Sequence, residues 1–111
     1  MAAPLIRADD AAGSDAAPVN ILLVDDQPGR LLTYRAILEP LGERLVEATS
    51  GEQALKLLME DEYAVILLDV NMPGIDGFET AHLIHQHPRF EKTPIIFVVR
   101  GRERARWSGP W

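Results

Sequence analysis

Four short, largely apolar runs punctuate the chain, and the first and third stop at aspartates. Ile21-Leu22-Leu23-Val24 is continuous and mostly branched, the pattern of a strand buried on both faces of a parallel sheet. Leu45 to Ala48 predicts a short second strand, Ala64 to Leu68 a third and Pro94 to Val99 a fourth. Between them the period changes from strand to helix. Pro28 suits the first turn of a helix, where its missing N–H is not needed, and Leu31, Tyr34, Leu38 and Leu41 recur at helical spacing until Pro40 and Gly42 close the segment. Ser50 with Gln53 three residues on has the form of a capping box, and Ala54, Leu57 and Leu58 supply the apolar stripe behind it. Phe78 to His87 reads as a third helix, with Phe78, Ala81 and Ile84 or His85 on its inner face and Pro88 as its stop. Strand and helix therefore alternate with short links. That order predicts an α/β domain with a parallel sheet and right-handed crossovers.

The ends differ from the body. Residues 1–18 are rich in Ala and Asp without sustained periodicity and are expected to form a disordered leader. From Arg100 onward neither helix nor strand period continues, and Trp107 and Trp111 stand among polar residues. Charge divides at the same place. The net of -6 combines -9 over residues 1–99 (7 Lys+Arg, 16 Asp+Glu) with +3 over residues 100–111, where Arg100, Arg102, Arg104 and Arg106 face Glu103.

Composition removes several function classes. With 111 residues the chain has room for one domain. A hydrophobic share of 47% argues against wholesale disorder, and the absence of cysteine excludes disulfides and thiolate zinc sites. No apolar run has the length of a membrane span, and Met1 to Arg7 lacks the core of a signal peptide, so a cytoplasmic protein is expected. The acidic body disfavours nucleic acid as a partner. There is no Gly-rich phosphate loop ending in Lys-Ser/Thr, which disfavours an NTPase. His82, His85 and His87 lie close together but lack an evident further ligand, and are expected to be surface residues.

The chemistry concentrates at strand ends. In open parallel sheets ligands bind beyond the carboxyl ends of the strands. The first strand stops at Asp25-Asp26 and the third at Asp69. If these two strands are neighbours, three carboxylates converge. At about 5 Å and an effective dielectric near 20 each like-charge pair costs roughly 3 kcal/mol, so the cluster should retain a proton or recruit a divalent cation. Oxygen ligands of this kind suit Mg2+ and phosphate chemistry. Asp69, followed by a loop shaped by Pro73, Gly74 and Gly77, could attack phosphorus to form an acyl phosphate. The other reading, in which the aspartates only cap the following segments, stays open on residue chemistry alone.

These residues are also the ones that carry a family likeness. Ile21 to Asp26, together with Ile66-Leu67-Leu68-Asp69-Val70-Asn71-Met72-Pro73-Gly74-Ile75-Asp76-Gly77, strongly resembles the receiver domain of two-component response regulators, over residues 19–99. The resemblance implies a flavodoxin-like doubly wound parallel sheet of order 2-1-3-4, with the family's fifth strand and last two helices missing. It implies that Asp69 is the phosphoacceptor, served by a histidine kinase or phosphotransfer protein. It further implies that Asp25, Asp26, Asp69 and the backbone carbonyl of Asn71 hold Mg2+. Such a domain is a phosphorelay module, not an enzyme beyond its own phosphorylation and dephosphorylation, and its phosphorylation shifts a two-state equilibrium at a partner-binding face.

Two departures from the family bear on activity. Receivers place Ser or Thr at the end of the fourth strand, where this chain has Val99, whose methyl groups cannot bond a phosphoryl oxygen. The Lys that follows the family's fifth strand has no counterpart, since Lys92 precedes the fourth strand. The abrupt change at Arg100 is read as a frameshifted or prematurely ended receiver, with a short diverged receiver as the alternative; the other reading frames beyond codon 99 would decide. On this reading the switch is impaired, the polypeptide is poorly stable, and the open fourth-strand edge favours self-association. A phosphorylation-independent interaction module, or an inert relic, is the competing function.

Overall fold

A computed structural model of the chain describes residues 17–99. The sequence readings of residues 1–16 of the leader and of the tail from Arg100 lie outside the described residues. Four strands and three helices alternate: β1 (Asn20–Val24), α1 (Pro28–Leu38), β2 (Arg44–Ala48), α2 (Gly51–Glu60), β3 (Val65–Asp69), α3 (Gly77–Gln86) and β4 (Ile95–Val98). Single 3-10 turns follow α1 at Glu39–Leu41 and α3 at Pro88–Phe90. The strands form one parallel sheet of order β2-β1-β3-β4, as the family likeness implied.

The apolar runs explain the two-sided core. Alternate residues of a strand point to opposite faces, and here both faces need cover. Leu22, Val24, Ile66 and Leu68 face α2 and α3, where they pack with Ala54, Leu58, Ala81 and Ile84. Ile21 and Leu23 face the other way and meet Leu31 of α1, with Tyr34, Leu38, Val65 and Leu67 half-buried around them. Two helices thus cover one face and one helix the other. Val65 and Leu67 remain only half-buried, because α1 reaches β1 but does not extend across β3.

Local signals set the helix ends. Ser50 Oγ accepts the Gln53 N–H at 3.0 Å, one half of the expected capping box. The reciprocal bond goes one residue further back: Gln53 Oε1 accepts from the Thr49 N–H at 2.7 Å rather than from Ser50. Asp76 caps α3 by accepting the Glu79 N–H at 2.8 Å. Pro28 opens α1, whose N-cap Gln27 makes no side-chain cap bond.

Two expected core positions are corrected. Leu41 is 60% exposed: α1 ends at Leu38, and the tighter 3-10 turn that follows rotates Leu41 off the apolar stripe before Gly42, at φ 75°, reverses the chain. Phe78 is likewise 60% exposed. The buried face of α3 is set by Gly77, Thr80, Ala81 and Ile84, so Ala81 and Ile84 hold the predicted stripe while Gly77 takes the inner position expected for Phe78. Phe78 instead lies against Phe97 of β4, ring centroids 5.0 Å apart.

Candidate functional site

Pairing of β1 with β3 decides the geometry. Val24 stands opposite Leu68 in register, so the residues that follow, Asp25 and Asp69, leave the sheet side by side at its carboxyl edge. Asp25 and Asp69 are buried and Asp26 is partly exposed. One carboxylate oxygen from each of Asp25, Asp26 and Asp69 lies within 4.8 Å of the others. The convergence that the sequence made conditional on strand order is present.

Arg30 and Tyr34 of α1, which the sequence reading did not assign to the site, complete it. The Arg30 guanidinium donates through Nε to Asp25 Oδ2 at 2.8 Å and through Nη2 to Asp69 Oδ2 at 3.3 Å, and Nη2 stands 3.6 Å from Asp26 Oδ1. Tyr34 donates its hydroxyl to Asp25 Oδ2 at 2.6 Å. The Gln27 N–H donates to Asp25 Oδ1 at 2.9 Å. The signal was the spacing: Arg30 and Tyr34 are i,i+4 positions that share one face of α1, just after the acidic pair. Tyr34 was assigned to the apolar stripe, and its ring does lie there; its hydroxyl reaches past the stripe to the acid.

The electrostatics follow from these contacts. Burial pushes the Asp25 carboxyl up, but hydrogen bonds from Arg30, Tyr34 and Gln27 outweigh it and hold the group below its ordinary 3.8. The bond to Asp25 raises Arg30 further above its already high value. Burial, followed by the bond to Asp25, pushes the Tyr34 hydroxyl well above the usual phenol range, so it remains a donor. The sequence offered two remedies for three crowded carboxylates, a retained proton or a metal. The chain contains a third, its own guanidinium.

The capping alternative is only partly met. Asp25 closes a turn onto Gln27, but α1 takes no side-chain cap from either acid of the pair. Asp69 Oδ1 accepts the Asn71 N–H at 3.2 Å, which ties the loop after β3 to the acid. Asn71 itself is exposed. Gly74 takes φ 79°, a conformation that favours glycine, at the turn of this loop. Val99 follows β4 immediately and is 44% exposed; its neighbour Val98 is the register partner of Asp69.

The donor set fits a hard divalent cation. The three candidate side-chain ligands are all carboxylates, and Asp26 Oδ1 is buried without a hydrogen-bond partner among the described residues. The histidines do not form a competing site. His82 bonds Gln86, His85 meets the Thr93 carbonyl and the His87 ring accepts from the Arg89 N–H, each about 3 Å away and each on a separate partner.

The response regulator receiver domain family matches residues 21–106. The chain belongs to this family. The signal transduction histidine-protein kinase BarA of Escherichia coli K12 is 35% identical over 81 residues, covering 73% of this chain and 9% of BarA. The virulence sensor protein BvgS of Bordetella bronchiseptica is 42% identical over 80 residues, 67% of this chain and 6% of BvgS. The chain therefore spans less than a tenth of the length of these relatives. Among solved structures, the N-terminal domain of a response regulator receiver protein from Methanoculleus marisnigri superposes with a TM-score of 0.68 at 30% identity, covering 79% of this chain and 75% of that one. As a receiver the chain is a module of phosphorelay signalling. No helix among its described residues is long and apolar enough to cross a membrane.

Proposed function

We propose that the receiver accepts a phosphoryl group on Asp69 from a phosphohistidine of a histidine kinase or phosphotransfer protein in the cytoplasm. The observation that carries this is the convergence of the Asp25, Asp26 and Asp69 carboxylates within 4.8 Å at the carboxyl edge of the sheet. In the step, an Asp69 carboxylate oxygen forms a P–O bond as the P–N bond to imidazole breaks, and the departing nitrogen takes up a proton. Asp25, Asp26, Asp69 and the backbone carbonyl of Asn71 would hold Mg2+, which when bound screens the negative charge of carboxylate and phosphate. The Asn71 N–H fixes one Asp69 oxygen and so orients the other. Tyr34 and Gln27 fix Asp25 in turn.

Val99 favours a second reading. A side chain without donor or acceptor at the end of β4 cannot bond the new phosphoryl group, so the conformational response is weakened even where Asp69 is modified. The domain then acts as an interaction module independent of phosphorylation. The exposed outer edge of β4 offers it a self-association surface.

Incubation with Mg2+ and acetyl phosphate, followed by intact mass, separates the two. One phosphoryl adduct, absent from the folded Asp69→Asn variant and from a sample in EDTA, supports phosphoacceptance. A folded wild-type protein that gains no adduct supports the interaction module.

A further inference from the structure

We propose that Arg30 is a built-in counter-cation of the acid cluster, and that its guanidinium and a divalent metal ion are alternative occupants of one site. The inference rests on the metal reading given above. Among the described residues, Arg30 is the one whose cation reaches all three acids: 2.8 Å to Asp25, 3.3 Å to Asp69 and 3.6 Å to Asp26. Asp25 and Asp69 are deeply set and the arginine is not. Side chains of Asp25 and Asp69 are 0% and 2% exposed, whereas that of Arg30 is 27% exposed and stands at the mouth of the cluster on the first turn of α1.

The two cations compete for the same lone pairs. Asp25 Oδ1 accepts from Gln27, and Asp25 Oδ2 accepts from both Arg30 and Tyr34. A metal bound to Asp25 takes the place of the Arg30 N–H, since neither the backbone donor nor the half-buried tyrosine packed between α1 and the sheet can leave without moving α1. Asp26 Oδ1 is different: it has no hydrogen bond among the described residues, and Arg30 only approaches it. A metal can therefore engage Asp26 first and complete its shell as the guanidinium swings outward on its flexible stem. Two positive charges at ligand distance repel by several-fold more than thermal energy even at an effective dielectric near 20, so simultaneous occupancy is disfavoured.

One consequence distinguishes this chain from a bare acid cluster: its affinity for metal is lower than the acids alone would give. Mg2+ titrations by calorimetry on wild type, Arg30→Gln and Arg30→Lys, with melts in EDTA and in excess Mg2+, test it. Arg30→Gln should bind Mg2+ on the order of tenfold more tightly. It should also melt lower than wild type in EDTA and gain more from Mg2+. Arg30→Lys, which keeps the charge but loses the fork that spans three acids, should fall between. If the glutamine variant does not fold in EDTA, the lysine variant decides, and binding no tighter than wild type overturns the proposal. Equal or weaker Mg2+ binding by folded Arg30→Gln overturns the competition alone. No Mg2+ binding by any folded protein overturns the metal reading and this inference with it.

Discussion

The Tyr34 hydroxyl sits 2.6 Å from Asp25 Oδ2, joining the middle of α1 to the end of β1. This bond links packing to chemistry: the ring belongs to the apolar layer between helix and sheet, while the hydroxyl stabilises a buried anion at the site. Tyr34→Phe keeps the ring and removes the donor. A hydrogen bond to a charged group contributes about 1.5–3 kcal/mol, and its loss leaves Asp25 less well satisfied. The variant should lose that much stability at neutral pH in urea unfolding, and an unchanged midpoint would show that Arg30 and Gln27 suffice.

The pH dependence has a definite sign. Asp25 has a folded pKa below its ordinary 3.8, so the folded state holds its proton less tightly than the unfolded chain. The stability contributed by its ionised form is fully present well above 3.8, falls as the pH drops through that value, and is gone below the folded pKa. Urea midpoints between pH 7 and pH 3 should therefore decline toward acid, and Asp25→Asn should flatten the decline. A variant whose midpoint falls as steeply as wild type would place the acid sensitivity elsewhere.

How far the sequence revealed this site depended on which physical signal each part leaves. Strands buried on both faces are continuous apolar runs, and an acid at the end of such a run is conspicuous; Asp25, Asp26 and Asp69 were legible for that reason. Their convergence required only that β1 neighbour β3, which the alternation of elements left open and the family likeness supplied. Arg30 and Tyr34 were hidden because periodicity assigns a residue to a face and not to a partner across a turn. Tyr34 fell on the apolar stripe, where one end of a phenol satisfies the pattern and conceals the other. Phe78 was misplaced because Gly77 and Thr80, neither conspicuously apolar, share the inner face of α3 with the predicted Ala81 and Ile84.

The edge of β4 bears on association. Ile96 is 54% exposed on the face shared with half-buried Leu67, its register partner, and no strand among the described residues pairs with the outer edge of β4. An apolar edge of this kind recruits a further strand, and lysine on it is the usual protection. Ile96→Lys is a cleaner probe than a change at Phe97, which also contacts Phe78. Sedimentation equilibrium should show wild-type association that Ile96→Lys weakens on the order of tenfold, with little change in the melt. A wild type that remains monomeric over the same concentrations rules out association through this edge.

Gly77 tests how tightly the phosphoacceptor is held from behind. Its N–H donates to the Val70 carbonyl at 3.2 Å, which draws the start of α3 against the end of β3. A Cβ at this position would collide with the Asp69 carbonyl oxygen and come within 2.7 Å of Val70 Cα. Both obstacles are backbone, so neither can turn aside as a side chain would; either α3 moves outward or Asp69 moves. Gly77→Ala should destabilise the domain by about 1–3 kcal/mol, the range for overpacking, and weaken Mg2+ binding because the displaced atoms carry an acid of the cluster. Gly29→Ala supplies the contrast on α1: nothing lies within 4 Å of its Cβ, and its φ is not positive. There alanine reduces the freedom of the unfolded chain and should stabilise by about 0.4–1 kcal/mol. Urea midpoints moving in opposite directions for the two variants, with Mg2+ affinity falling only for Gly77→Ala, would tie the position of Asp69 to the close approach of α3; equal shifts would break that link.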